Sequence, residues 1–243
     1  MENVLITGSA RRLGSLIAEH LAVSGCFVWI HYRTHKEDAI RLRDRICSAG
    51  GHADCVYADL TDIGQIDAML DRISCSDNCE LTTLVNNASI FPQSRLENTT
   101  AAAWDLVMNT NLRAVWYLSK QFAAGFRSAK RIITIGDAGV SRGYREHAVY
   151  GLSKFTLKYL TEQMAVSFAP NIRANLLSPG LVLQGDREPD EIWQKRTQNL
   201  LTENKDVVQS ILNGIDFLMK DPGMTGSELN IDNGMKLYRK TNN

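Results

Sequence analysis

The chain has 243 residues, 44% of them hydrophobic, enough apolar material for one sizeable core. Lys+Arg and Asp+Glu both number 27, so the formal net charge is zero and a long polyanion such as nucleic acid is disfavoured as a partner. No apolar run reaches the length of a membrane span, and Leu5 and Ile6 already belong to a strand-like run, which leaves no room for a signal peptide.

Short apolar runs alternate with longer helical patterns. In chain order the pattern predicts strand 4–7, helix 13–24, strand 27–31, helix 36–49, strand 54–58, helix 63–73 and strand 83–86. It continues with helix 101–126, strand 131–135, helix 148–168, strand 173–177, helix 205–219 and strand 228–231. Most of the strands are continuous apolar runs, as expected for parallel strands covered on both faces. The expected fold is α/β, one domain over residues 1–243, with a doubly wound parallel sheet of seven strands and right-handed crossovers. Residues 181–202 are the least regular stretch and carry a charged insert at 186–191; they read either as a lid or substrate loop or as a solvated excursion. The five scattered cysteines, Cys26, Cys47, Cys55, Cys75 and Cys79, read as reduced thiols in a cytoplasmic protein; Cys75 and Cys79 lack a second pair, so no metal is expected.

Thr7-Gly8-Ser9-Ala10-Arg11-Arg12-Leu13-Gly14 follows the first strand and opens the first helix. Gly8 allows a tight turn, Gly14 lets the helix approach the sheet, and the free N–H groups of the helix start favour a phosphate. A dinucleotide site selective for NAD usually carries an acid at the end of the second strand. Here the chain reads His31-Tyr32-Arg33-Thr34-His35, with no acid. Arg33, with Arg12 or Arg11, would hold a 2′-phosphate through charge-assisted hydrogen bonds, which favours NADP(H). Asp59-Leu60 and Asn86-Asn87-Ala88 close the third and fourth strands, at the ends where open α/β sheets bind ligands. Asp59 reads equally as a helix N-cap or an adenine contact.

Tyr150 and Lys154 stand four residues apart in a helical run, so one turn places them on the same face. A lysine ammonium there would favour the phenolate and lower the Tyr150 pKa, suiting it to proton donation near neutral pH.

Taken together, these residues resemble the short-chain dehydrogenase/reductase family over essentially the whole chain. The elements carrying the resemblance are Thr7-Gly8…Gly14, Asp59-Leu60, Asn86-Asn87-Ala88, Asn111, Tyr150…Lys154 and Ser178-Pro179-Gly180. The resemblance implies a Rossmann-like fold and hydride transfer from a nicotinamide, with Tyr150 as proton donor and Lys154 holding the ribose. Asn111 would support a water on the proton path. The cofactor contacts so implied are Gly8, Arg12, Leu13, Gly14, Tyr32, Arg33, Thr34, Asp59, Leu60, Asn87, Ala88, Tyr150, Lys154, Pro179 and Gly180. It also implies a homotetramer built through helices 101–126 and 148–168 and the C-terminal segment.

Two departures narrow the resemblance. Arg12 stands where the family turn usually has Gly, and Asp137 stands where the catalytic Ser usually lies. Both are similar to the branch of pteridine reductases and bacterial dihydromonapterin (dihydrofolate) reductases. In that branch Phe91 would stack on the pterin and Ser89 would contact it, beside Asp137 and Tyr150. A carboxylate at position 137 can accept hydrogen bonds from pterin N–H groups, which a carbonyl substrate does not offer. Arg12 would reach the pterin's polar edge from beside the cofactor pyrophosphate.

The plainer readings are that Phe91 is a loop or core aromatic, Asp137 a turn cap, His147 a solvated histidine, and Trp104, Trp116 and Trp193 packing residues. Trp193 lies in the suspected substrate loop. The expected activity is therefore NADPH-dependent reduction of a dihydropterin or dihydrofolate. A short-chain carbonyl reductase is the nearest rival, and a cofactor-sensing regulator without turnover the more distant one.

Overall fold

The continuous apolar runs conceal a period of two. In the computed structural model, which describes residues 1–76, 80–185, 188–198, 200–202 and 206–237, the first strand, β1 (Asn3–Ile6), buries Val4 and Ile6 in one core and Leu5 in another. The next, β2 (Phe27–Tyr32), does the same with Val28 and Ile30 against Trp29. Both faces are apolar because both are covered. The remaining strands are β3 (His52–Tyr57), β4 (Thr83–Asn86), β5 (Arg131–Ile135), β6 (Arg173–Pro179) and β7 (Glu228–Ile231). They form one parallel sheet in the order β3-β2-β1-β4-β5-β6-β7.

Three helices cover one face: α1 (Arg12–Val23), α2 (Lys36–Ser48) and α8 (Val207–Lys220), through Ile17, Leu21, Leu42, Ile46, Ile211 and Ile215. The other face is covered by α3 (Ile63–Ser74), α5 (Ala114–Gly125) and α6 (Ala148–Ser167), through Ile66, Leu70, Leu118, Phe122 and Met164. Each fully buried side chain of this size contributes about 1.5–3 kcal/mol.

Two expectations about helices need correction. The single helix expected over 101–126 is split into α4 (Ala101–Met108), a π-helical turn at Asn109–Arg113, and α5. At the wider turn the Asn111 side chain makes two hydrogen bonds to the backbone of Ile90. The stretch expected to be irregular, 181–202, contains α7 (Asp190–Thr197), with Asp190 and Glu191 in its first turn and Lys195 and Arg196 in its last, complementing the helix dipole. Asp186 and Arg187 of the charged insert, and Cys79, lie outside the described residues. Cys26, Cys47, Cys55 and Cys75 are free thiols. Trp104 and Trp116 are not core residues: both are substantially exposed on the surface of α4 and α5, near-neighbours in type to exposed Phe155 and Tyr159 of α6. Among the described residues no helix is long and apolar enough to cross a membrane.

Candidate active site

Open α/β sheets bind ligands beyond the carboxyl ends of their strands, where the strand order reverses. Here the reversal falls between β1 and β4. After β1 the chain turns at Gly8, whose φ of +62° lies in the left-handed region. Gly14 is needed for space: a Cβ there would come within 2.6 Å of Asn87 Nδ2 and of the Gly8 carbonyl. Asn87 and Ala88 donate their N–H groups to Thr7 Oγ1 at 2.9 and 3.0 Å, and Asn87 Nδ2 donates to the Thr7 and Gly8 carbonyls at 2.9 and 3.1 Å. The turn after β1 is thereby locked to the end of β4. Helix α1 starts without a side-chain cap and without an acid in its first turn, the condition in which a helix start attracts an anion.

His31 completes this cradle, a role its position in the sequence did not signal. Its Nδ1 accepts the Gly8 N–H at 2.9 Å and its Nε2 lies 3.1 Å from the Ala58 carbonyl. The neutral ring with its proton on Nε2 satisfies both contacts. Burial lowers the His31 pKa to about 4.

The expected cofactor residues meet on one cleft of about 620 Å³. Gly8, Arg12, Leu13, Gly14, Tyr32, Arg33, Thr34, Asp59, Leu60, Asn87, Ala88, Tyr150, Lys154 and Gly180 all line it. Pro179 does not; it ends β6, paired with Ile231. Arg11 and Arg12 both line this cleft with Arg33; Arg11 faces Asp38 at 3.9 Å, and Arg12 donates from Nη2 to the Gln184 and Leu183 carbonyls at 3.1 and 3.4 Å. Arg12 also has a φ of +54°, a left-handed conformation costing a non-glycine residue about 1 kcal/mol. Asp59 is not a helix N-cap: its Oδ1 accepts from the N–H and hydroxyl of Thr61, and α3 is capped by Asp62.

A second, larger cleft of about 1570 Å³ adjoins the first, sharing Arg12, Tyr150, Gly180 and Leu183 with it. Asp137, just past β5, lines it. Asp137 Oδ1 accepts the Gly139 N–H at 2.7 Å and so caps a 3₁₀ turn at Ala138–Arg142. Its Oδ2 accepts the Tyr150 hydroxyl at 2.7 Å. Asp137 is therefore both a turn cap and the partner of Tyr150. The Tyr144 hydroxyl lies 3.0 Å from each carboxylate oxygen.

The electrostatics of Tyr150 reverse one expectation. Burial, and then the adjacent Asp137 charge, push its phenol well above the ordinary value rather than below it. Lys154 is not among the groups that shift it; its ammonium donates to the Ile135 carbonyl at 2.7 Å. Burial lowers Lys154 to about 8, with Asp137 opposing the shift.

Asn111 lies behind the clefts. Its Oδ1 accepts from Ile90 N–H at 2.9 Å, and its Nδ2 donates to the Ile90 carbonyl at 3.0 Å and to Ser153 Oγ at 3.2 Å. It thus fixes the segment leading to Phe91. Phe91 lines the larger cleft and is 52% exposed. His147, expected to be solvated, stacks on its ring at 3.7 Å and is held through Nδ1 by the Pro92 carbonyl at 2.8 Å. Tyr150 meets Phe91 edge-on at 4.4 Å. Ser89, expected beside Phe91 on the substrate, lines the smaller cleft instead. Of the 181–202 segment, Leu181, Leu183, Gly185, Glu188, Ile192, Arg196 and Leu200 line the larger cleft, so it is not a detached excursion. Trp193 lines neither cleft and packs against Arg196.

A family model described as enoyl-(acyl carrier protein) reductase, one of the short-chain dehydrogenase/reductase models, matches residues 8–236. The chain belongs to the short-chain dehydrogenase/reductase family. Members of this family are nicotinamide-dependent oxidoreductases. The chain is 28% identical over 238 residues to dihydromonapterin reductase of Escherichia coli K12, covering 96% of each chain. The FolM alternative dihydrofolate reductase 1 from Brucella canis, solved with NADP, superposes with a TM-score of 0.87 at 28% identity, covering 99% of this chain and 96% of that one. A short-chain dehydrogenase from Burkholderia cenocepacia J2315, also solved with NADP, gives a TM-score of 0.87 at 26% identity, over 96% of this chain and 97% of that one. Sequence reasoning missed Tyr144, His31 and the stacked His147; the aromatic spacing Phe91…Tyr144…His147…Tyr150 was the available signal.

Proposed function

We propose that the protein is an NADPH-dependent pterin reductase, converting a dihydropterin or dihydrofolate to the tetrahydro form. The observation that carries this reading is the Asp137 carboxylate 2.7 Å from the Tyr150 hydroxyl, in a cleft that also presents Phe91. A carboxylate only accepts hydrogen bonds, so it suits a substrate rich in N–H groups and repels an electron-rich carbonyl oxygen. Phe91 offers a flat surface to a heteroaromatic ring, with offset stacking worth about 0.5–1.5 kcal/mol. The relatives bearing the names dihydromonapterin reductase and alternative dihydrofolate reductase support the same substrate class.

The smaller cleft fits NADP(H). The Gly8 and Gly14 cradle and the uncapped start of α1 suit a pyrophosphate. Arg33, just past β2, and Arg11, before α1, line it; an acid at the end of β2 would have favoured NAD. The NADP bound in the Brucella and Burkholderia structures supports this choice. When bound, the cofactor supplies hydride. Lys154 would hold its ribose, Asn111 fixes the loop that carries Phe91, and Tyr150, kept protonated by its surroundings, would deliver the proton. The 181–202 segment would choose among pterin side chains.

The exposed aromatics Trp104, Trp116, Phe155 and Tyr159 on α4, α5 and α6 support assembly into a homotetramer through those helices. Light scattering should return four chain masses.

Asp137→Ser tests the substrate reading. Serine can keep the cap on Gly139 N–H but cannot accept from two phenols and a pterin together. kcat/KM should fall more for a dihydropterin than for any ketone; an equal fall, or unchanged pterin turnover, removes the role given to Asp137.

A further inference from the structure

Tyr144 fills a niche that the chain leaves open for it. A Cβ at Gly139 would overlap the Tyr144 hydroxyl, and one at Gly151 would touch its ring at 3.4 Å. The ring stands edge-on to Phe91 at 5.9 Å and to Tyr150 at 5.8 Å. The hydroxyl is equidistant, at 3.0 Å, from both oxygens of Asp137.

Asp137 thus receives three donors: the Gly139 N–H, the Tyr144 hydroxyl and the Tyr150 hydroxyl. The last is spent on Asp137 and has to be released before it can face a substrate. A half-buried carboxylate that loses a donor is left with an unmet acceptor, which is costly. A hydroxyl placed between both oxygens can follow whichever one is vacated without moving its ring.

We infer that Tyr144 is a positioning residue of the proton-handling site, keeping Asp137 hydrogen-bonded and in place while Tyr150 turns its hydroxyl from Asp137 to the substrate. The inference rests on the reading of Tyr150 as proton donor, not on the identity of the substrate. Around the pair stand Lys154 on α6, Arg142 at the end of the turn, Arg196 on α7 and His147 at the start of α6. Burial and the Asp137 charge raise the Tyr144 phenol, so it remains a donor throughout the working range. Tyr144 does not line the nucleotide cleft.

Tyr144→Phe keeps the ring in its niche and removes only the donor. NADPH affinity, measured by fluorescence, should stay within about twofold, which also reports that the variant is folded. Turnover should show kcat falling about tenfold with KM nearly unchanged, the size expected for one hydrogen bond to a charged group. In the crystal structure of Tyr144→Phe with NADP bound, the Asp137 carboxylate should leave the position in which it accepts both the Gly139 N–H and the Tyr150 hydroxyl. That structure needs no substrate. If pterins are not turned over but the carboxylate moves, the substrate class fails and the role of Tyr144 stands. An unmoved carboxylate overturns that role whatever the substrate, and so does a raised KM at unchanged kcat.

Discussion

His31 Nδ1 accepts the Gly8 N–H at 2.9 Å, so the turn that opens the nucleotide cleft is held by a residue of the neighbouring strand. Protonation would put a second ring N–H against the Gly8 N–H and break the contact. In the folded chain His31 is lowered to about 4 from 6.5, so the unfolded chain takes up the proton more readily. Its stabilising contribution is fully present above pH 6.5 and is lost as the pH falls through that window to 4, a difference of at most about 3 kcal/mol. Urea unfolding at pH 7 and pH 4.5 should show this loss, and His31→Asn should flatten it. An equal slope in the variant would assign the acid sensitivity to other groups.

Arg33 is the cation at the end of β2 that lines the smaller cleft with Arg11. Arg33→Ala should weaken NADPH binding about tenfold to a hundredfold, the cost of a charge-assisted phosphate contact, and leave NADH nearly unchanged. Calorimetric titration with both cofactors checks this. An unchanged preference would show that the 2′-phosphate is read elsewhere.

Tyr150→Phe and Lys154→Ala should separate chemistry from binding. The first should cut kcat by about 10²–10⁴ with the NADPH dissociation constant little changed. The second should impair both, because Lys154 lines the cofactor cleft and holds the Ile135 carbonyl at 2.7 Å.

Lys154 also carries a pH prediction. Its ammonium, lowered by burial to about 8, is charged below that pH and neutral above it. kcat/KM should therefore decline as the pH rises past about 8, since this profile reports the free enzyme. A flat profile to pH 9.5 would mean that the charge is not used.

The fold was legible because most strands are apolar runs between turn residues: 83–86, 131–135 and 228–231 begin and end where expected. Gly8 and Gly14 were legible because a tight turn and a close helix admit no other residue there. What escaped the sequence depends on contacts between distant segments. The π turn at Asn109–Arg113 is set by Ile90 and Ser153, and periodicity carries no trace of them. Tyr144 acts through Asp137 and the space beside Gly139. The raised Tyr150 phenol follows from burial and from Asp137, whereas the four-residue spacing to Lys154 suggested the opposite direction. Helix α7 was hidden because it buries no residue that would give it an apolar stripe.

The most direct measurement is NADPH consumption by the purified protein, comparing 7,8-dihydrobiopterin, dihydromonapterin and dihydrofolate with a β-ketoacyl thioester and simple ketones. Turnover confined to the pterins is the predicted result. Turnover with the carbonyl compounds alone would contradict the substrate class while leaving the fold and the arrangement of Tyr150 and Lys154 in place.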